Sequence, residues 1–423
     1  MSASGGGGRS ILFVAYFYPP CPDTGAHRAA AMVKYLRRGG HRVTVLTTSA
    51  YGSEPGEHDV VRTSDLQLTR ARLRGHDRIQ GMFEADSYSG QPHPLSRVLV
   101  PEPLVLAWAP FAIHAAKRLA AEHEFECVIT TSPPESAHLV GRALHRRGVA
   151  WVADIRDAWN FEPLRPEFPT RLQRRIDERL EQRWLGEADA VTVVSRPAAT
   201  DLRDRLGIES VLAPNAWDPD LDPEPGEDGA AELLDPARTS LVYTGRFGSY
   251  GRNPAGLVRA LEVLAASEPR VAERLELVIA GPVTDDERRL FATGVSPARI
   301  VLLGALPRER AVALQRAADA LLLIAARQRT QLANLKVFEY LAAARPIVAL
   351  AAGTEAGRIV LETGAGEVVP SGDVAAIVTA LRALVAGEVS APDPQRLRPF
   401  AYPDAVKAMA GAVELAIEKM KPR

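Results

Sequence analysis

The chain has 423 residues, of which 46% are hydrophobic and 24% charged, with a formal net charge of −1. That length sets an expectation of two or three domains with sizeable cores, and the balanced charge excludes a nucleic-acid binder that works through a broad basic surface. Two cysteines, Cys21 and Cys127, exclude a disulfide framework and a Cys-based metal site; no charged-then-apolar leader and no apolar run near ~18 residues are visible, so the expectation is a cytoplasmic protein with no indicated membrane contact.

The opening "MSASGGGGRS" is glycine-rich but precedes the first strand, so it has the wrong geometry for a phosphate loop. Strand-like runs then follow in order: "ILFVAY" from Ile11, "VTVLTT" from Val43, "CVITT" from Cys127, "WVADI" from Trp151, "AVTVVS" from Ala190 and "VLAPN" from Val211. A second set comprises "LVYTG" from Leu241, "LELVIAG" from Leu275, "IVLLG" from Ile300, "ALLLIAA" from Ala320, "PIVAL" from Pro346 and "GEVVP" from Gly366. Each run is nearly continuous rather than alternating, as expected of strands covered on both faces. The segments between them carry apolar residues at helical spacing, for example "NPAGLVRALEVLAAS" from Asn253. Strand–helix alternation of this kind predicts doubly wound parallel sheets.

The two sets are separated by "PNAWDPDLDPEPGEDGAAELLDP", rich in Pro, Asp and Glu, which reads as an interdomain linker. The expected layout is an N-terminal Rossmann-like domain over 1–215, a linker over 216–236, a C-terminal Rossmann-like domain over 237–401 and a terminal helix over 402–423 packing back on the first domain, with ligands taken in an interdomain cleft. The stretch from Ala50 to Val98 does not fit the alternation and reads as a polar insertion with some helix. Its basic piece "TRARLRGHDR" from Thr69, the charged "RLQRRIDERLEQRWLGEADA" from Arg171, and the pair His138 and His145 all read as solvated helix faces.

Within "QLANLKVFEYLAAARPIVAL", from Gln331, a cation and a carboxylate interrupt an apolar run. A helix capped by Asn334 would turn Leu335, Phe338, Leu341 and Ala342 to the sheet, and Lys336, Glu339, Tyr340 and Ala343 to another face. One reading is an exposed Lys336–Glu339 pair. The other is a helix N-terminus that meets phosphate together with Lys336, while Glu339 accepts from ribose hydroxyls.

This stretch resembles the donor-binding signature of retaining, family 4-like GT-B glycosyltransferases. Other segments agree in order: "ILFVAYFYPPCPDTGAHRAAAMVKYLRRGGHRVTVLTT", "CVITTSPPESAHLVGRALHRRGVAWVADIRDAW" (similar to a bacterial subset acting on polysaccharides and secondary metabolites), "VVSRPAATDLRDRLG", "LVYTGRFGSYGRNPAGLVRAL" and "IVLLGALPRERAVALQRAADALLL". The resemblance implies transfer of a sugar from a UDP- or GDP-type nucleotide-diphosphate donor to a small-molecule or glycan acceptor, with retention, without a metal and without a tightly bound cofactor. It implies a donor site from Gly25, Gly245, Arg246, Gly281, Ala305, Leu306, Gln331, Asn334, Leu335, Lys336, Val337 and Glu339. Arg246 would hold the diphosphate, since a guanidinium fork bonds phosphate bidentately, with Lys336 or Arg252 as second cation.

The family has a glutamate where this chain has Gln331, and often a histidine where it has Arg156. Arg156 either approaches a substrate or forms a network with Asp157. Tyr18, Asp23, Thr24, His27, Arg28 and Asp157 are the acceptor candidates, and His27 is also readable as an ordinary residue of the helix start. "DPD", Asp218 to Asp220, has metal-site spacing but lies in the linker. Rival readings are a GT-B epimerase or inverting transferase, with His27 or Asp23 as base, and a degenerate nucleotide-sugar-binding subunit. A dehydrogenase is disfavoured because "FYPPCPDTGAHR" lacks a close glycine triplet.

Overall fold

The computed structural model describes residues 8–21, 24–66, 98–163, 165, 167–221, 230–248, 251–292, 297–326, 330–331, 333 and 335–421. The chain divides into two compact units, residues 1–214 with 403–423, and residues 215–402.

The first unit holds β1 (Ser10–Ala15), β2 (Arg42–Thr48), β3 (Val60–Thr63), β4 (Cys127–Ser132), β5 (Ala150–Ile155), β6 (Ala190–Val193) and β7 (Val211–Leu212). They form one seven-stranded sheet in the order β3-β2-β1-β4-β5-β6-β7. All pairs are parallel; Phe13 of β1, for instance, faces Val45 on one side and Ile129 on the other. Every position of β1, β4 and β5 is buried, which is why these strands are apolar without alternation. The core gathers Leu12, Val14, Trp108, Val128, Trp151 and Trp184.

The stretch 50–98 contributes to this sheet. Val60–Thr63 pairs with β2, and Trp108 Nε1 donates to Thr63 Oγ1 at 2.9 Å. The basic piece from Thr69 lies outside the described residues. The helix Val406–Met420 also belongs to this unit: Glu414 bonds Arg9 at 2.7 Å, and Lys419 Nζ donates to the Asp189 carbonyl at 2.6 Å.

Two helices differ from the sequence reading. The helix Arg171–Glu187, capped by Thr170, buries Asp177 and Glu181 completely. Asp177 is bonded by Trp159 Nε1 and Arg165, and Glu181 by Arg205, so its inner face is acidic because basic and indole partners meet it there. His138 is not a surface residue either. It is wholly buried, contacts Thr130 Oγ1 through Nδ1 at 2.8 Å and stacks beside Trp159. Burial drives its imidazole down to about 3, so it is neutral. His145 pairs with Asp189 at 3.1 Å.

The second unit holds β8 (Thr239–Thr244), β9 (Leu275–Ala280), β10 (Arg299–Gly304), β11 (Ala320–Ile324), β12 (Ile347–Leu350) and β13 (Gly366–Val369). The order is β10-β9-β8-β11-β12-β13, again parallel throughout. Side chains alternate between two cores. Leu241, Tyr243, Leu277, Ile279 and Leu322 pack with the helices Ala255–Ser267 and Val374–Ala386. Val242, Val278, Leu321 and Leu323 pack with Leu314, Val337, Phe338 and Ile359 from the helices of the other face. The described part of 216–236 is bonded into this unit: Trp217 N donates to Phe400 O at 3.0 Å, and Asp235 N donates to Glu276 at 2.7 Å.

Candidate active site

In an open parallel sheet a ligand crevice forms beyond the carboxyl ends of the strands where the strand order reverses. In the second unit that point lies between β8 and β11. A cavity of about 100 Å³ opens there, lined by Gly251, Asn253, Ala255, Gly256, Ile324 and Ala325, and by Ser371 and Gly372 beyond β13. Sequence reasoning missed these lining residues, because small side chains carry no chemical signal of their own.

Lys336 and Arg252 lie near each other at the end of β8, and Arg246 follows that strand in the chain. Gly245 turns the chain with φ at +111°, a region open to glycine. A Cβ at this position would stand 2.5 Å from Lys336 Nζ. Lys336 comes from the helix Leu335–Ala342, donates to the Thr244 carbonyl, and lies 4.0 Å from the centroid of the Tyr243 ring. Arg246 follows Gly245 and is exposed. Arg252 stands near enough for its charge to act on the Tyr243 hydroxyl and on Lys336. Burial, then the charge of Arg252, bring the Lys336 ammonium down to about 7, with Glu339 acting the other way. That depression marks a cation held out of water beside a second one, a place where a bound anion would favour the charged form.

The remaining donor-side candidates of this unit come from several elements. Gly281 ends β9, and a Cβ there would strike the Gly245 carbonyl at 2.2 Å, so the close approach requires glycine. Ala305 is exposed and Leu306 half-buried beyond β10, Leu335 is half-buried, and Gln331 is buried. Glu339 is half-buried and pairs with Arg308 at 3.3 Å, a partner the sequence did not reveal. Val337 is wholly buried in a core, so its side chain is packing. Asn334 lies outside the described residues. The expected helix face needs correction at Tyr340 and Ala343, which are buried. Tyr340 turns inward because its hydroxyl accepts from Thr244 N at 3.0 Å.

In the first unit the candidates separate. Arg28 is corrected: its guanidinium is buried, ion-pairs Asp154 at 3.1 Å and donates to the carbonyls of Ala213 and Pro214 at 2.9 Å. It is part of the scaffold. Burial pushes Asp154 up, but Arg28 and the hydroxyls of Thr192 and Thr131 outweigh that and hold its carboxyl below the usual range. Arg156 is buried at the carboxyl end of β5, donating to Ser132 O at 3.2 Å and Pro133 O at 2.8 Å. Asp157 beside it is half-buried. Tyr18 and Gly25 are buried, and His27 is exposed on the helix Thr24–Arg38. Asp23 and the Thr24 side chain lie outside the described residues.

Among the described residues no group of three or more His, Cys, Asp or Glu is placed to share a metal ion. Asp218 instead accepts from Asp220 N at 3.1 Å in a local turn. No described helix is long and apolar enough to cross a membrane.

Two Rossmann-like parallel-sheet units of seven and six strands, the second with a cation cluster at its switch point, define the GT-B class of architecture. Residues 24–215 match the family model described as glycosyl transferase 4-like domain, and residues 238–387 match that of glycosyl transferases group 1. With these two domains in succession, the chain is a glycosyltransferase. Among similar solved structures are the lipopolysaccharide outer core galactosyltransferase WaaB, with a TM-score of 0.59, 14% identity, and coverage of 96% of this chain and 99% of that one. Sucrose-phosphate synthase from Thermosynechococcus elongatus gives a TM-score of 0.56 at 17% identity, covering 97% of both chains. The α,α-trehalose 6-phosphate synthase of Burkholderia multivorans gives 0.55 at 14% identity, covering 98% of this chain and 100% of that one. No curated protein matches the chain by sequence.

Proposed function

We propose that the enzyme transfers a sugar from a UDP- or GDP-type nucleotide-diphosphate donor, held by the second unit, to a hydroxyl-bearing small molecule or glycan, held by the first. The observation that carries this reading is the nearness of Lys336 and Arg252 at the end of β8, where Arg246 follows in the chain. As the bond between the sugar carbon and the phosphate oxygen breaks, its electron pair stays on the diphosphate. Cations fixed where that charge develops lower the barrier, and they supply the counter-charge without a divalent ion.

Retention follows if the acceptor oxygen attacks from the face the phosphate leaves. The acceptor proton then passes to the departing phosphate oxygen, and no protein nucleophile is needed. Gly281, Gly245 and the backbone from Ala305 to Leu306 approach the nucleotide, with Leu335 and Val337 contributing backbone at the helix start. Glu339 accepts from the ribose, and Gln331 bonds sugar hydroxyls as a neutral partner. Arg156 and Asp157, with Tyr18 and His27, face the acceptor.

The test is a thermal-shift comparison of UDP, GDP, ADP and TDP, followed by turnover of the matching sugar nucleotides. A bound nucleotide raises the melting point by mass action. Failure of all four to do so would overturn the reading. A second reading, a chain that binds the donor without transferring it, has the neutral Gln331 in its favour; nucleoside diphosphate released with acceptor but not without it excludes this alternative. The anomeric linkage of the product separates retention from inversion.

A further inference from the structure

One buried side chain is linked to all three cationic residues of the proposed site. Tyr243, in β8, is wholly buried. Its hydroxyl donates to the Arg246 carbonyl at 2.7 Å. The charge of Arg252 acts on the same hydroxyl. Its ring lies under Lys336 Nζ, 4.0 Å from the centroid. The ring is also stacked on Phe247, centroids 4.0 Å apart and planes 10° apart, which leaves one face for the ammonium. Phe247 is braced in turn by Phe291 at 5.5 Å.

Packing alone does not explain a tyrosine here. A phenylalanine would fill the same core, and a buried hydroxyl costs free energy unless it is bonded. A phenol has one proton and two lone pairs. Here the proton fixes the backbone that carries Arg246, and the lone pairs are left to the charge of Arg252. The π face meanwhile favours the charged form of Lys336. All three interactions act on positively charged residues, and each comes from a different part of one rigid side chain.

We propose that Tyr243 is a positioning residue that sets the spacing of Arg246, Arg252 and Lys336 for a diphosphate, without touching the donor itself. The inference rests on the reading of this site as the donor diphosphate site. It separates two parts of donor recognition: Tyr243 acts on the diphosphate and leaves the nucleoside contacts, made from β10 and the Glu339 helix, alone.

The experiment uses the full chain and calorimetry with UDP and GDP, and with uridine and guanosine. Tyr243→Phe is expected to weaken the diphosphate that the wild type binds by about 5–20-fold, the loss of a hydrogen bond at charged groups. Nucleoside affinity stays within about twofold. Tyr243→Met, which also removes the π face, weakens the diphosphate further, and either variant alone decides the matter. Leu261→Ala, in the same core, serves as the control for damage to packing: it lowers the melting point while diphosphate affinity holds. An unchanged diphosphate affinity in Tyr243→Phe, or an equal loss for the nucleoside, overturns the inference and leaves the donor site standing. A wild type that binds no nucleoside diphosphate overturns both.

Discussion

Lys336 reaches across the carboxyl end of β8, so that its ammonium rests 4.0 Å from the centre of the Tyr243 ring while donating to the Thr244 carbonyl. Four residues further along the same helix, the Tyr340 hydroxyl accepts from the N–H of that same Thr244 at 3.0 Å. Both backbone groups of one residue are thus gripped by one helix, and the lysine is held half-buried in a cation-rich place that lowers its proton affinity.

The first prediction concerns pH. Lys336 titrates at about 7 instead of 10.5 in the free protein, and a diphosphate favours its charged form. Affinity is therefore full below about pH 7 and falls by up to tenfold per pH unit above it, until the pKa of the bound state is reached. Calorimetry across this range should show the slope in the wild type. Lys336→Arg, which stays charged throughout, should flatten it; a slope that persists in this variant would belong to another group.

The second concerns Glu339, held by Arg308 at 3.3 Å. If its carboxylate receives ribose hydroxyls, Glu339→Gln weakens nucleoside diphosphate binding about 5–20-fold, the range for a charge-assisted hydrogen bond. A dideoxyribose analogue should bind the two proteins alike. An equal loss with that analogue would place Glu339 outside ribose recognition.

The third concerns the scaffold. Arg28→Met leaves Asp154 buried without its cation, a change expected to cost about 3–5 kcal/mol in urea unfolding at neutral pH. Asp154 titrates below its ordinary 3.8 in the folded state. Its contribution is present above that value and is lost as pH falls through the folded pKa, so the gap between wild type and variant should narrow in acid. Adding Asp154→Asn should recover part of the loss.

A fourth prediction runs the other way in pH. Burial, then the neighbouring Glu135, push the Glu102 carboxyl up from 4.5 to about 8, against Ser136 and Arg165. The folded protein therefore keeps a proton that the unfolded chain gives up, and stability falls as pH rises from 4.5 to 8. Glu102→Gln can still accept from Ser136 N, now at 3.2 Å. It should raise the melting point by about 2–4 °C above the folded pKa, the shift that about 1 kcal/mol produces, and leave it unchanged in acid.

The strands were legible because burial on both faces makes a run apolar at every position, as in β1 and β5. β3 was not, since it has four residues, among them Arg62, and none is fully apolar-packed except at Thr63. Lys336 was legible because a cation in an alanine-rich run has no packing role. Tyr243 and Arg308 were not: an aromatic inside a strand looks like core, and an arginine after a proline looks like surface. Partners distant along the chain were invisible as well. Arg28 and Asp154 are 126 residues apart, and Asp177 meets Trp159 across 18. An Arg-rich helix therefore read as solvated although Asp177 and Glu181 on it are buried.

The pairing at the edge of the second unit has a practical consequence. Trp217 N donates to Phe400 O at 3.0 Å, and Tyr402 N donates to Trp217 O at 3.1 Å, so the two passages of the chain that bound residues 215–402 run side by side. An excised segment would have neighbouring ends, and a short peptide bridge would suffice to circularise it. Such a miniature, freed from the discontinuous remainder, offers a route to nucleotide titrations by magnetic resonance at less than half the mass.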